Sequence, residues 1–204
     1  ARNAAWSTWD TAGNVDVWNY GWFGPLTKDP EFMQAWIDRW QALRTDELSA
    51  ASTAILNVAQ TEPTIAAAAR RGPVAVYWPV RGEPDVSRLT APHGRTLPGN
   101  PGAVPRLLVW SDETELAVAW RHLRYPADGS AVVDAAEHGL ILVPAVAFDR
   151  SGNRLGNGAG WYDRLLAGVT GPLLVGIAHA FQVVDHLDAQ PWDIPMHLVV
   201  TPDG

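Results

Sequence analysis

The stretch RLGNGAGWYDRLLAG, residues 154–168, combines three alternate glycines with two arginines and an aspartate. Glycines lack a Cβ, so the backbone can adopt positive φ and approach a ligand, and successive N–H groups can then surround an anion. Arg154 and Arg164 carry permanent charge suited to bidentate phosphate contacts, and the carboxylate of Asp163 is a type of ligand that Mg²⁺ takes. These residue types at this spacing indicate a nucleotide-phosphate loop with its own metal ligand.

A plain tight turn is the alternative interpretation of the same stretch, with Asp163 interacting with the dipole of the following helix. The stretch is not a Walker A loop, because it has no Gly-Lys-Ser/Thr. It is not a dinucleotide fingerprint either, because its glycines alternate and no acidic residue ends a following strand. From spacing alone, both interpretations stay open.

The elements around the glycines predict where they lie. GLILVPAVAFD (139–149) is a continuous apolar run of strand length, which is typical of a strand covered on both faces. WYDRLLAG (161–168) begins a helix that ends at its glycine. The glycines therefore follow the carboxyl end of a buried strand, where open α/β sheets usually bind their ligands.

The rest of the chain supplies the partners for this strand. Helices are predicted at 47–60 and 64–72, and strands at 73–80, 171–180 and 197–204, with a hairpin formed by 106–110 and 116–120. The Pro- and Gly-rich segment 91–106 is predicted to be a loop with at most a short strand. This order predicts an α/β fold: a layered domain with a mostly parallel central sheet flanked by helices.

Composition divides the chain of 204 residues into two parts. Residues 1–45 form a Trp-rich helical N-terminal arm, in which Phe32, Trp36 and Trp40 have helical spacing. Residues 46–204 form the α/β domain. We expect the arm to pack on this domain; the alternative is a docking element for a partner or a second copy.

Charge and residue usage limit the possible partners. The formal net charge of −7 argues against broad nucleic-acid binding, which needs a basic face. There is no cysteine, and no apolar run approaches the roughly 20 residues that cross a bilayer. We expect a cytoplasmic monomer without membrane or nucleic-acid partners.

Three separated segments resemble the 5-formyltetrahydrofolate cyclo-ligase (methenyltetrahydrofolate synthetase) family. Residues 140–167 resemble the signature region, in which an apolar strand ends in an AFD corner and a Gly-rich loop runs into Tyr-Asp-Arg. Residues 174–201 and 74–89 resemble the closing strand region and the first-strand motif, in the right order. Residues 1–45 weakly resemble a spore-coat kinase-like segment instead.

This resemblance implies an enzyme that uses ATP and Mg²⁺ to convert 5-formyltetrahydrofolate into 5,10-methenyltetrahydrofolate, with release of ADP and phosphate. By the same resemblance, Asp163 and Asp193 bind the metal. The implied ATP-binding residues are Arg154, Leu155, Gly156, Asn157, Gly158, Ala159, Gly160, Trp161, Tyr162 and Arg164.

For the folate, the resemblance implies contacts from Glu83 and Tyr77. From the residues alone, Glu83 is also consistent with a turn residue between Gly82 and Pro84, and Tyr77 and Trp78 with core aromatics. Asp193 is equally consistent with a solvated loop residue. His179, within an apolar run, is expected to be a core histidine whose hydrogen bonds are satisfied.

The sequence departs from the family at three places. The family's basic N-terminal helix is replaced by a segment in which Arg39 and Arg44 are the only candidates for phosphate contacts. The aromatic-Gly-Ile-Pro-Glu-Pro turn is altered at 121–130, and His197 stands where the family often has aspartate. The alternative function is therefore a non-catalytic nucleotide- or folate-binding protein with a cyclo-ligase-like fold.

Overall fold

The structure, a computed structural model, describes residues 48–80, 82–119, 123–127, 129–156 and 158–204. The predicted arm, residues 1–45, and Asn157 lie outside the described residues. So do Arg121, His122 and Asp128 of the altered turn 121–130. The chain divides into two units after Asp46, and everything described belongs to the second. No helix in this described part has the length and apolarity that a membrane span requires.

Three α-helices and twelve short strands are found in the described residues. The helices are α1 (Leu48–Thr61), α2 (Pro63–Ala69) and α3 (Trp161–Leu166). The strands are β1 (Val74–Ala75), β2 (Arg95–Pro98), β3 (Leu107–Trp110), β4 (Leu116–Val118), β5 (Arg124–Pro126), β6 (Val132–Val133), β7 (Leu140–Pro144), β8 (Ala147–Asp149), β9 (Arg154–Leu155), β10 (Leu173–Ile177), β11 (Val183–Val184) and β12 (Leu198–Val200).

Seven of the strands form the central sheet, in the order β12-β10-β7-β1-β2-β3-β6. The five strands from β12 to β2 are parallel to one another, and β3 is antiparallel to both of its neighbours, β2 and β6. A three-stranded sheet, β11-β8-β9, and a two-stranded sheet, β4-β5, complete the described β-structure. The predicted α/β fold with a mostly parallel central sheet is confirmed.

Strand β7 is buried on both faces, as its continuous apolar run predicts. Leu140 and Leu142 pack into a cluster with Ile55 and Ile65 of helices α1 and α2. Ile141 and Val143 point the other way, into a cluster that contains Leu166 of α3 and Phe148 of β8. The sheet is therefore covered by two helices on one face and by α3 with the small β11-β8-β9 sheet on the other.

The expected pairing of the strand 106–110 is wrong. The predicted hairpin between 106–110 and 116–120 does not form, because both edges of β3 are used by β2 and β6. Residues Leu116–Val118 pair with Arg124–Pro126 instead. The short strand allowed within 91–106 is β2, and it is the antiparallel partner of β3.

The apolar run 139–149 is also not one strand. It leaves the central sheet after Pro144 and resumes as β8 in the three-stranded sheet. The side-chain amide of Gln182 donates to the carbonyls of Ala145 (2.9 Å) and Val146 (3.1 Å). This amide satisfies backbone acceptors that would otherwise need a strand partner, so the chain can change sheets without leaving them unpaired.

A buried histidine makes the stability of this domain dependent on pH. The ring of His138 lies between the hydroxyl of Thr96 (2.8 Å) and the carbonyl of Asp134 (2.9 Å). Burial lowers the pKa of His138, although the Asp134 carbonyl and nearby carboxylates oppose the shift. The unfolded chain therefore gains a proton near pH 6.5 that the folded chain accepts only at lower pH.

We expect the free energy of unfolding to fall as the pH drops below about 6.5, by no more than about 1.4 kcal/mol per pH unit for this one proton. Urea unfolding of the full chain between pH 8 and 5 measures this slope. The His138→Asn variant should lose most of the histidine's contribution. His93→Asn, which changes an exposed histidine, should keep it. An unchanged slope in His138→Asn would contradict the assignment.

Candidate functional site

Glu83, the glycine loop and His179 each follow, along the chain, one of three neighbouring strands of the central sheet. Strands β10, β7 and β1 are adjacent and parallel, so their carboxyl ends lie at the same edge. The turn with Glu83 follows β1, the β8–β9 hairpin and the glycines follow β7, and His179 follows β10. The glycines therefore follow β7 as expected from the order of elements, but only after the β8–β9 hairpin of the three-stranded sheet.

The glycine loop has the backbone geometry that its residues predict. Gly158 and Gly160 have φ values of 83° and 58°, in the left-handed region that favours glycine. Gly160 is the N-cap residue of α3, and its carbonyl accepts the amide of Arg164 at 3.1 Å. A Cβ at Gly156 or Gly158 would meet no atom within 4 Å, so the loop borders open space.

Arg154 and Asp163 are brought together at this loop. A guanidinium nitrogen of Arg154, Nη2, donates to the carboxylate of Asp163 in a close ion pair. The Arg154 side chain is only 5% exposed, and that of Asp163 is 22% exposed. The second nitrogen, Nη1, is buried and has no hydrogen-bond partner among the described residues, and the same is true of Nε1 of Trp161.

Two unpaired buried donors of this kind are costly unless an acceptor is supplied, because each has lost its water. Arg154 is always charged, so an anionic oxygen is the acceptor that suits its free nitrogen best. Arg164 has a different position from Arg154. It is exposed, and its Nη1 donates to the carbonyl of Ala159 at 2.6 Å, which fixes the loop backbone.

Glu83 and the two tyrosines lie close to this pair. Burial raises the pKa of Tyr162, Glu83 raises it further, and Arg154 opposes them. Burial also raises the pKa of Tyr77, with Glu83, Tyr162 and Asp85 adding to the shift. Both phenols therefore keep their protons at neutral pH.

The Glu83 turn is held by bonds from three parts of the fold. The Glu83 carboxylate accepts the amide of Val80 at 3.0 Å. The hydroxyl of Tyr77 donates to the carbonyl of Pro84 at 2.7 Å, and Nε2 of His179 lies 2.9 Å from the carbonyl of Gly82. These contacts fix the turn relative to β1 and β10.

Tyr77 and Trp78 both belong to the apolar cluster that contains Leu140 and Leu142: Tyr77 is buried in it, and Trp78 packs against it partly buried. The ring of Trp78 packs edge-to-face on Trp110, with centroids 6.2 Å apart, and Arg124 lies over it. Trp78 thus has the contacts of a core aromatic, as its position in an apolar run allows.

Asp149, the aspartate of the AFD corner, organises the base of the site. Its carboxylate accepts the amides of Ser151, Asn153 and Leu187 and the side-chain amide of Asn153, at 2.9–3.1 Å. Burial would raise the pKa of Asp149, but these hydrogen bonds hold it below its usual value. The Asp149 carboxylate has four donors already and is a structural anchor.

Next to this anchor, Gly152 has a φ of 84°, and a Cβ there would lie 2.2 Å from the carbonyl oxygen of Met196. The amide of Met196 donates to the carbonyl of Gly152 at 2.8 Å. A pocket of about 520 Å³ opens beside this contact, between residues 149–152, Val183 and residues 196–199. None of the predicted site residues lines it.

Asp193 lies in the segment between Leu187 and Met196. Its carboxylate accepts the amide of Gln190 at 2.8 Å, and its own amide donates to the carbonyl of Gln190 at 3.0 Å. It thereby closes a turn of its own.

Within the described residues, no three His, Cys, Asp or Glu side chains are grouped closely enough to hold a metal ion by themselves. A cation here would need oxygens from its ligand or from water as well.

Three residues that shape the site were not predicted from the sequence to belong to it. His179 is buried and satisfied, as expected, yet its partner is the turn that presents Glu83. Asp149 and Gln182 connect the β7–β8 corner to the segment after β10. Polar residues directly after an apolar strand, as in AFD and IAHAFQ, are the sequence signal that could have found them.

A mostly parallel sheet flanked by helices, with a glycine loop and a buried arginine after one of its central strands, defines a layered α/β protein. The sequence model of the 5-formyltetrahydrofolate cyclo-ligase family matches residues 47–202. The chain belongs to this family.

Relatives and solved structures agree with that assignment. The chain is 48% identical to 5-formyltetrahydrofolate cyclo-ligase of Escherichia coli K12 over 67 residues, which are 31% of this chain and 36% of the relative. It is 46% identical to the Mycolicibacterium smegmatis enzyme over 68 residues, 32% of this chain and 34% of the relative. The matched stretch thus spans about a third of the length of these curated relatives.

The solved structures cover far more of the fold. The NMR structure of Aquifex aeolicus 5,10-methenyltetrahydrofolate synthetase has a TM-score of 0.66 and 30% identity, over 82% of this chain and 88% of that one. A 5,10-methenyltetrahydrofolate synthetase from Mycoplasma pneumoniae has a TM-score of 0.61 and 23% identity, over 81% and 93% of the two chains.

Proposed function

We propose that this chain converts 5-formyltetrahydrofolate into 5,10-methenyltetrahydrofolate, with ATP as the phosphoryl donor and Mg²⁺ as the metal. The observation that carries the proposal is the buried Arg154 beside Asp163, with a free nitrogen and a glycine loop that borders open space. Family membership supplies the reaction class.

The reaction needs charge neutralisation and positioning more than covalent chemistry from the protein. The formyl oxygen attacks the γ-phosphorus of ATP and ADP leaves. N10 then attacks the formyl carbon, its proton is lost and the C–O bond breaks to release phosphate. In this proposal Arg154 and the backbone N–H groups of the loop, with Trp161 and Arg164 nearby, bind and orient the phosphates.

Asp163 and Asp193 are the proposed ligands of Mg²⁺, which would offset the charge of the phosphate oxygens. Asp163 is suited to this role because it already lies against the proposed phosphate ligand Arg154. Asp193 lies on a separate turn, so its contribution requires it to exchange its contact with the Gln190 amide.

Glu83 is the proposed recognition residue for the reduced folate. A carboxylate can accept hydrogen bonds from the N–H groups of a pteridine, and that of Glu83 interacts electrostatically with Tyr77 and with Tyr162 of α3. In this proposal, a folate held at Glu83 has its formyl group within reach of the phosphate loop. This is the arrangement that direct phosphoryl transfer to the formyl oxygen requires.

An absorbance assay for the methenyl product tests the proposal. The purified full chain is mixed with 5-formyltetrahydrofolate, ATP and Mg²⁺, and each component is omitted in turn. We expect product only when all three are present, together with one ADP per methenyl group. Folded protein that binds ATP by calorimetry but forms no product would instead support the non-catalytic alternative.

The proposed setting is a monomer in the cytoplasm, in line with a chain that lacks cysteine. Gel filtration of the full chain measures the oligomeric state, and elution at the volume of a dimer would overturn the proposed monomer.

A further inference from the structure

Three exposed apolar residues on segments joined by hydrogen bonds, next to the glycine loop and the Glu83 turn, have no role in the proposed reaction so far. They are Val146, Leu155 and Phe181, here called the apolar rim. The amide of Val146 donates to the carbonyl of Leu155 at 2.8 Å, and Gln182, next to Phe181, donates to the carbonyl of Val146. The rim therefore joins the start of the glycine loop to the turn after β10.

Phe181 is the most exposed member of the rim, with 79% of its surface accessible. Its ring nevertheless has a fixed support. It stacks on the ring of His179, with centroids 5.4 Å apart and an angle of 7° between the planes. His179 is itself buried and lies 2.9 Å from the carbonyl of Gly82, so Phe181 is tied to the turn that presents Glu83.

Phe181 lies in a one-turn 3-10 helix, Ala180–Gln182, which is held at both ends. Gln182 accepts the amide of His179 at 2.8 Å through its side-chain oxygen, while its side-chain nitrogen bonds to the β7–β8 corner. A large aromatic ring, exposed to water on a rigid support at the mouth of a site, is typical of a ligand-stacking surface.

We propose that Phe181 determines specificity for the folate by stacking its free face on the p-aminobenzoyl ring. This inference rests on the proposed function. A reduced folate is linear, with the pteridine at one end, the benzoyl ring in the middle and the glutamate at the other. When the pteridine lies at Glu83, in the interior, the benzoyl ring is the next group outward, at the level of the rim.

Leu155 and Val146 complete an apolar border for that ring, and the charged glutamate tail continues into water. In the proposed function the ATP phosphates bind at the glycines, which follow Leu155 along the chain. Phe181 therefore contributes to the affinity for folate and leaves the affinity for ATP unchanged.

Calorimetric titration of the full chain tests the inference with Phe181→Ala and Phe181→Tyr. Loss of an aromatic contact should raise the Kd for 5-formyltetrahydrofolate about five-fold in Phe181→Ala, whereas Phe181→Tyr, which keeps the ring, stays within two-fold of the unmodified chain. The Kd for ATP should not change in either variant. Val132→Ala, which shortens an exposed side chain on β6 at the far edge of the sheet, is the control and should bind both ligands normally.

A truncated ligand, 5-formyl-6-methyltetrahydropterin, identifies the ring that Phe181 contacts. It lacks the benzoylglutamate part, so Phe181→Ala should bind it as the unmodified chain does. An equal loss for this fragment, a raised Kd for ATP, or an unchanged Kd for the full folate would each overturn the inference. If the unmodified chain does not bind 5-formyltetrahydrofolate at all, the proposed function itself fails and the inference with it.

Discussion

Replacing Arg154 by methionine is expected to lower kcat/KM for methenyl formation about 100-fold, the usual effect of removing one preorganised donor from a site of developing charge. The Arg154 side chain is 95% buried and its Nη1 has no partner among the described residues. In the methionine variant, water therefore has no access to take the place of Nη1 beside the phosphate. Arg154→Lys should lose less, since it keeps the charge and loses the two-nitrogen fork. Steady-state kinetics at saturating Mg²⁺ measures both.

Arg150→Met is the matched control for this variant. Arg150 precedes the loop, but its side chain is exposed and its nearest carboxylate, on Asp185, is 3.8 Å away. We expect its kcat/KM to remain within two-fold of the unmodified chain. A similar result for Arg154→Met, with an unchanged Tm, would show that Arg154 is not a phosphate ligand.

Replacing Asp163 by asparagine is expected to lower kcat/KM on the order of 1000-fold, because the proposed metal loses a charged ligand at the phosphates. The diagnostic measurement is the Mg²⁺ dependence. The Mg²⁺ concentration that gives half the maximal rate should rise in Asp163→Asn. Binding of Mn²⁺ in the presence of ATP, followed by electron paramagnetic resonance without turnover, should weaken in parallel.

Asp163 has a second effect that these data separate from metal binding. It holds Arg154, so Asp163→Asn also disturbs the arginine. A loss of rate with an unchanged Mg²⁺ dependence would assign Asp163 to positioning alone and contradict the metal assignment. Asp185→Asn, at a fully exposed carboxylate, is the control for charge and should change neither quantity.

The central sheet could be predicted because its signals are local. The run Leu140–Val143 is apolar at every position and is short, which is typical of a strand covered on both faces, and all four residues are buried. The corner after Pro144 could not be predicted, because it depends on Gln182, which lies far along the chain. The partner of β3 was missed for the same reason: it is decided by which strands already occupy its two edges.

The site divides in the same way. The glycines, Arg154 and Asp163 lie within ten residues of each other, so a local pattern offers a phosphate loop as one of two interpretations, and the family resemblance favours it over a plain turn. Glu83 was found only through the family resemblance, because a glutamate in a turn has no distinctive pattern. The bond between His179 and Gly82 joins residues 97 positions apart, and no local pattern predicts such a contact.

The two bonds at Asp149 and Gly152 have a consequence for how this family could vary. The amides of Leu187 and Met196 both bond to residues of the same corner, so the segment between them is a loop closed at its base. The entropy of closing a flexible loop grows slowly, by roughly 0.6 kcal/mol for each doubling of its length. Residues could therefore be inserted or removed around Asp193 with little loss of stability. Such changes would move the Asp193 carboxylate towards the proposed nucleotide site or away from it, without changing the sheet.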